Sequence, residues 1–428
     1  MKTSLIKLTV LLFSALLLFG CQSAPVSQGT SAAADEGMSE ERLNRIDSVL
    51  TEAIDKDQIP GAVALVARNG RIVYLKAFGM ADNESGRNMQ TDDIFRIASQ
   101  TKAITSTAVM MLWEEGKFGL DDPISRYIPE FAHPMVFESL NEADSSFTAT
   151  PATKPITIRN LITHTSGIGY GMIDDDNFRK IYQKAGIIDA FTTKDVTIEE
   201  NIKKLARLPL HHEPGAKFTY SEGLDVLGYL IEIVSGMPLD QFLKERIFDP
   251  LGMEDTYFYI PGEKANRLVP VQTSTDGKWV KYQALPLYDT DYPIKGARRF
   301  FSGGGGLSST AKDYATFLQM YLNKGELNGV RLLSRTTVET ILSDQVGAML
   351  GASDSGYGLA FGILDERGAL WGGQGSAGTF SWGGYFNTQY FADPVEQTIG
   401  ILMKQTQDTP TDESGWKFTL LVGQAIDD

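Results

Sequence analysis

The dipeptide Asn69-Gly70, set between Ala62-Val-Ala-Leu-Val-Ala-Arg68 and Arg71-Ile-Val-Tyr-Leu-Lys-Ala-Phe78, constrains this chain more than any other short stretch. Two residues that tolerate positive φ between two apolar runs predict a two-residue hairpin, so an antiparallel sheet opens the fold. Ahead of it, Leu43, Ile46, Leu50 and Ile54 recur at helical spacing and predict an amphipathic first helix over 38–56. Apolar runs return late, between Tyr357 and Lys404, with strands expected at Phe380–Gly384, Tyr385–Asp393 and Thr398–Met403 and a last helix over 416–426. The section 121–251 mixes helical patterns with polar loops, of which 132–155 and 170–197 read as insertions. The second is either a cover over a pocket or a solvated excursion. Strand-like runs follow at 267–273 and 279–287, then a helix over 311–323. With 428 residues, 42 % of them hydrophobic, the chain can bury a large core. The expected architecture is α/β of the α+β type: an antiparallel sheet flanked by N- and C-terminal helices, with a mainly helical lobe inserted at 121–251.

A formal charge of −15 with no offsetting basic cluster argues against a nucleic-acid partner. Residues 1–20 read as a signal peptide, because Lys2 and Lys7 precede an apolar run, Leu8–Gly20, too short to span a bilayer comfortably. That run ends in Leu18-Phe-Gly-Cys21, and Cys21 is the only cysteine. The ending resembles a bacterial lipoprotein signal, which implies lipidation at Cys21 and an exported protein held to a membrane of the cell envelope. Cleavage after Ala34 is the alternative, giving a soluble exported protein. Residues 21–37 then read as a flexible tether and 38–428 as the folded domain.

The chemistry centres on Ser99-Gln-Thr-Lys102. Ser99 falls where a helix carrying Ile104, Met110 and Met111 should start, and Lys102 lies one turn on, facing the same way. A serine hydroxyl is a poor nucleophile until a base takes its proton, and a nearby lysine can do that without histidine. The spacing also occurs at Ser4/Lys7, Ser309/Lys312 and Ser414/Lys417. Those read as part of the signal, as an N-cap for the helix after Ser309, and as a loop opening the last helix. Tyr220, between a Pro214-Gly215 turn and a helix with Val226, Leu227, Leu230 and Ile231, either points into a cleft as a base or packs with its hydroxyl on backbone. No Gly-x-Ser-x-Gly exists for a Ser-His-Asp site, and the four histidines offer no metal spacing: His164 reads as a structural hydrogen-bonding residue, His211 and His212 as exposed loop residues. No phosphate loop is present, so Gly303–Gly306 reads as close-packed backbone near the cleft. No metal and no cofactor are expected.

Ser99-Gln-Thr-Lys102, Leu161-Ile-Thr-His-Thr-Ser-Gly167, Pro214-Gly215 with Tyr220-Ser221, and Ser302-Gly-Gly-Gly-Gly-Leu-Ser308 come in one order over residues 40–426. Together they resemble the serine beta-lactamase-related family: class C beta-lactamases, D-alanyl-D-alanine peptidases and the carboxylesterases that share their fold. The resemblance implies a beta-lactamase/transpeptidase-like fold, Ser99 as nucleophile, Lys102 as its activator and Tyr220 as proton shuttle. Two departures matter. The lactamase and peptidase members carry Tyr-x-Asn, but here Tyr220-Ser221-Glu222 stands, and an ionised Glu222 can only accept hydrogen bonds or pair with Lys102. Their Lys- or His-Thr-Gly motif is missing; Trp382-Gly383-Gly384 matches the esterase branch instead. Substrate contacts are therefore expected at Glu222, Trp382, Gly383 and Gly384, with backbone N–H groups of Ser99 and Tyr385 forming an oxyanion hole. Without the third-motif lysine a substrate carboxylate loses its usual anchor. The expected substrates are small to medium acyl esters, with cell-wall-type lactams or D-amino-acid peptides, or a catalytically silent envelope lipoprotein, as the alternatives.

Overall fold

The computed structural model describes residues 29–285, 288–350 and 355–428. The hairpin forms as its sequence predicts: β1 (Gly61–Arg68) and β2 (Arg71–Asp82) pair antiparallel with Arg68 opposite Arg71. Asn69 and Gly70 take φ of 53° and 78°, the left-handed pair that a two-residue turn between twisted strands requires. The sheet continues through β3 (Arg87–Asn88), β4 (Ser355–Tyr357), β5 (Gly362–Leu364), β6 (Phe380–Gly384), β7 (Thr388–Asp393) and β8 (Thr398–Met403). Its spatial order is β4-β5-β6-β7-β8-β1-β2-β3, antiparallel at each pairing. The last strand thus closes onto the first, Val63 opposite Met403.

Every residue of β1 is buried, because both faces of the sheet are covered. One face is covered by α1 (Arg45–Asp55) and α5 (Ser414–Gln424) and the other by α4 (Ala311–Leu322), while α2 (Thr101–Glu114) and α3 (Gly223–Ser235) pack on each other. Ala62, Ala64 and Val66 share a core with Ile46, Leu50 and Ala53 of α1 and Phe418 and Val422 of α5. Val63, Leu65 and Ala67 point the other way, into the larger core built around α2, α3 and α4. Period-two alternation within an unbroken apolar strand is the signature of a sheet between two helical layers. The expected fold class holds.

Several local expectations need correction. The first helix is broken at Asn44, with Glu40–Leu43 a separate turn capped by Ser39. The expected tether does not extend to Gly37: Thr30 bridges Ile72, Ala33 is buried, and the buried Arg68 guanidinium donates to the carbonyls of Glu36 and Gly37. Its earlier residues, with Cys21 and the signal peptide, lie outside the described residues. The insertion at 132–155 is a hairpin, Met135–Asn141 with Ser146–Pro151. The run after 267 is also a hairpin, Gln272–Thr275 with Lys278–Lys281, turned by Asp276-Gly277 at φ of 51° and 72°. Ser309 pairs with Phe95 in a short strand; the N-cap of α4 is Thr310, which accepts from the Asp313 N–H.

Candidate active site

Ser99 is placed by a strand that stops short. Phe95-Arg96 pairs with Ser308-Ser309, then Ala98 takes φ of 44° and the chain turns through a 3-10 segment, Ala98–Gln100, directly into α2. A left-handed alanine is sterically costly and persists only where surroundings over-determine it. Here they do. Arg96, 1 % exposed, donates to the carbonyls of Thr290 and Val269, and Thr101 through Leu112 are buried without a break. Lys102, fully buried one turn after Ser99, sends Nζ to Ser99 Oγ at 3.3 Å and to the Gly304 carbonyl at 2.6 Å. That carbonyl belongs to the Gly303–Gly306 run. A Cβ on Gly303 would lie 2.5 Å from the Leu224 carbonyl, so the run is close-packed against α3.

Tyr220 meets this pair from the other side. Its hydroxyl accepts a hydrogen bond from Trp382 Nε1 at 3.1 Å, and the Tyr220 and Trp382 rings lie 5.6 Å apart. Lys102 Nζ sits 4.7 Å from the Tyr220 ring centre and 5.0 Å from that of Tyr170, which stacks on Tyr220. The Leu161–Gly167 motif grips the tyrosine loop. The Thr219 N–H donates to the His164 carbonyl at 2.8 Å, the Ser221 N–H to His164 Nδ1 at 3.2 Å, and the Gly215 N–H to the Thr165 carbonyl at 2.7 Å. An Nδ1 that accepts leaves the ring proton on Nε2. Burial, and secondarily the Lys102 charge, hold the His164 pKa well below its usual value, so the ring is a neutral brace. The structural role expected for His164 is thus the one observed. His211 and His212 are not exposed loop residues: His211 Nε2 meets Asp174 at 3.0 Å, and His212 is buried against Thr219 Oγ1 at 2.9 Å.

Glu222 lies below the site, with no exposed surface, and is absent from the residues lining the cleft. It therefore does not offer the substrate contact expected of it. Both oxygens of its carboxyl are buried with no hydrogen-bond partner among the described residues, and the Asp189 carboxyl is a neighbour. Burial first, then Asp189, push the Glu222 pKa well above its ordinary value, so it is neutral and not the ionised partner of Lys102 that its type suggests. Asp225, also buried and raised by burial, accepts from the Gly304 N–H at 3.2 Å. Asp189 and Asp225 had no sequence signal as members of this site; they reach it from a loop and a helix face that only folding brings under Lys102.

The cleft is small, about 90 Å³, and is lined by Ser99, Tyr170, Met172, Ile173, Asp189, Phe191, Tyr220 and Tyr385. Five of these eight belong to 170–197, so that insertion is a built wall, whereas the 132–155 hairpin contributes no lining residue. The end of β6 is pressed against the nucleophile turn, since a Cβ on Gly384 would lie 2.5 Å from the Ile97 carbonyl. Ser99, Tyr220 and Tyr385 thus meet at one cleft from three segments, with Lys102 and Trp382 behind them on the first and the last. Residues 46–424 match the family described as Beta-lactamase. The chain belongs to the beta-lactamase family. Among relatives of this beta-lactamase-family chain, Esterase EstB of Burkholderia gladioli is 32 % identical over 406 residues, covering 89 % of this chain and 94 % of the relative. Lovastatin esterase of Penicillium rubens is 30 % identical over 382 residues, covering 83 % and 91 %. The solved structure of EstCE1, described as a hydrolase with promiscuous acyltransferase activity, superposes with a TM-score of 0.76 at 28 % identity, covering 91 % of this chain and 99 % of that one. The protein is a serine hydrolase of the beta-lactamase fold.

Proposed function

We propose that the protein is a carboxylesterase of small to medium acyl esters, working through a covalent acyl-enzyme on Ser99. The observation that carries this is the contact of Lys102 Nζ with Ser99 Oγ at the edge of the cleft that the Tyr220 ring also lines. In the cycle, Ser99 Oγ attacks the ester carbonyl while its proton passes to the Lys102/Tyr220 pair. The Ser99 and Tyr385 N–H groups hold the oxyanion, each such donor being worth about 10²–10³ in rate. The C–O bond to the alcohol then breaks, and Tyr220 returns the proton to the departing oxygen. Because Trp382 donates to the Tyr220 oxygen, the phenolic proton is free to make that transfer. Water repeats the sequence on the acyl-enzyme, releasing the acid. No lysine or arginine is among the described residues that line the cleft, which supports neutral esters over penicillins or peptides carrying a carboxylate.

A labelled fluorophosphonate should modify the native protein and spare Ser99→Ala. Labelling that persists in the variant overturns the assignment. Rates on p-nitrophenyl butyrate, nitrocefin and a D-Ala-D-Ala peptide should rank in that order; no turnover of any of them by folded protein favours a silent envelope lipoprotein.

We also propose export to the bacterial cell envelope and lipidation at Cys21, supported by the leader Leu18-Phe-Gly-Cys21. Metabolic labelling with an alkynyl fatty acid should mark the protein and disappear in Cys21→Ser; a label unaffected by the substitution rules the anchor out.

A further inference from the structure

Two voids share a wall beside Ser99. The catalytic cleft, at about 90 Å³, has room for roughly three water-sized groups. A second cavity of about 460 Å³ lies behind Met172 and Asp189, the two residues that line both. Its other walls include Tyr182, Ile187 and Tyr288. The Tyr288 ring meets those of Phe191 and Tyr385 edge-on, at 5.5 Å and 6.3 Å, and both of these line the cleft. Buried ring packing therefore links the wall of the cleft to that of the larger cavity.

An ester bound at Ser99 has two substituents to place. The cleft by itself accommodates a short chain; the second cavity falls within the range of about 300–1,000 Å³ that holds a ring-bearing ligand. We propose that this second cavity is the specificity subsite for the larger, hydrophobic substituent of the ester, the short one remaining in the cleft. The proposal rests on Ser99 being the esterase nucleophile. It defines the substrate class as neutral esters joining a short chain to a hydrophobic ring system. Arg179 at the cavity rim is already bound to Asp176 at 2.9 Å and to the Asp174 carbonyl at 3.0 Å, so it does not serve as an anchor for an acidic substituent.

Two substitutions obstruct the cavity without touching the catalytic groups. Gln183→Trp acts from its exposed rim, and Ile187→Trp fills it from within. Hydrolysis of ethyl acetate, 2-naphthyl acetate and ethyl 2-naphthoate by native protein, both variants and Ser99→Ala then separates the possibilities. In each folded variant kcat/KM for at least one naphthyl ester should fall about tenfold or more, with ethyl acetate within about twofold of native. The naphthyl ester that responds assigns the subsite to the alcohol or the acyl side. Both naphthyl esters unaffected in Gln183→Trp, whose exposed position keeps folding out of question, overturns the subsite. Ethyl acetate turnover surviving in Ser99→Ala overturns the nucleophile assignment instead.

Discussion

Tyr220 depends on groups far away in sequence. His164 braces its loop from one side, and Trp382, 162 residues on, donates to its hydroxyl. Trp382→Phe keeps an aromatic ring against Tyr220 and deletes only the donor. A lost hydrogen bond of this kind costs about 1 kcal/mol, so kcat on p-nitrophenyl butyrate should fall roughly five- to tenfold with little change in KM. Steady-state kinetics checks this, and an unchanged kcat would remove Trp382 from the shuttle. The Ser99/Lys102 pair was legible because helix geometry fixes what lies one turn away. Trp382 was legible only as part of a glycine-rich strand motif: which atom its indole meets is a tertiary fact. Glu222 shows the opposite failure. Its residue type suggested an ionised group, and burial beside Asp189 makes it neutral.

At the scale of elements, the site is the meeting of one helix start and one strand end. α2 is buried along nearly its whole length, so its first turn cannot shift without moving the core. β6 reaches the Ser99 turn only because Gly384 has no side chain to strike the Ile97 carbonyl and Thr388. Gly384→Ala should therefore push strand and turn apart. Misplacement by about 1 Å costs on the order of 10²-fold in rate, and kcat/KM should fall by that order. Gly383→Ala, whose Cβ would meet the Thr388 carbonyl at 3.3 Å, should do much less and serves as the control. Equal rates for the two variants would remove this contact from the mechanism. The hairpin at Asn69-Gly70 was legible from two residues, and the same logic applied to Asp276-Gly277 identifies the second hairpin. The wall built from 170–197 was legible only as one of two alternatives, because Tyr170, Asp189 and Phe191 are buried against partners elsewhere in the chain.

For the molecule as a whole, the acids under Lys102 tie stability to pH. Burial raises the folded-state pKa of Glu222, Asp189 and Asp225. Between the ordinary carboxyl pKa and the raised one, the folded state keeps protons that the unfolded chain has released. Stability must then fall as pH rises through that window. Glu222→Gln removes one such proton-holding group with little change of shape. Its melting temperature should decline less than that of the native protein between about pH 5 and about pH 8. Parallel profiles would show that Glu222 does not titrate in this way. The three-layer architecture was foreshadowed by period-two and period-3.6 patterns, since these report which face of an element meets oil and which meets water. By itself the sequence determined the elements, their rough order, and the Ser99/Lys102 pair, all of which rest on neighbours within a few residues. Only the tertiary structure decided that β8 closes onto β1, that Trp382 holds Tyr220, that Glu222 is neutral and that a larger cavity adjoins the cleft. Each of those depends on burial or on contacts between distant segments, and a linear pattern does not encode the local dielectric or the distance between two loops.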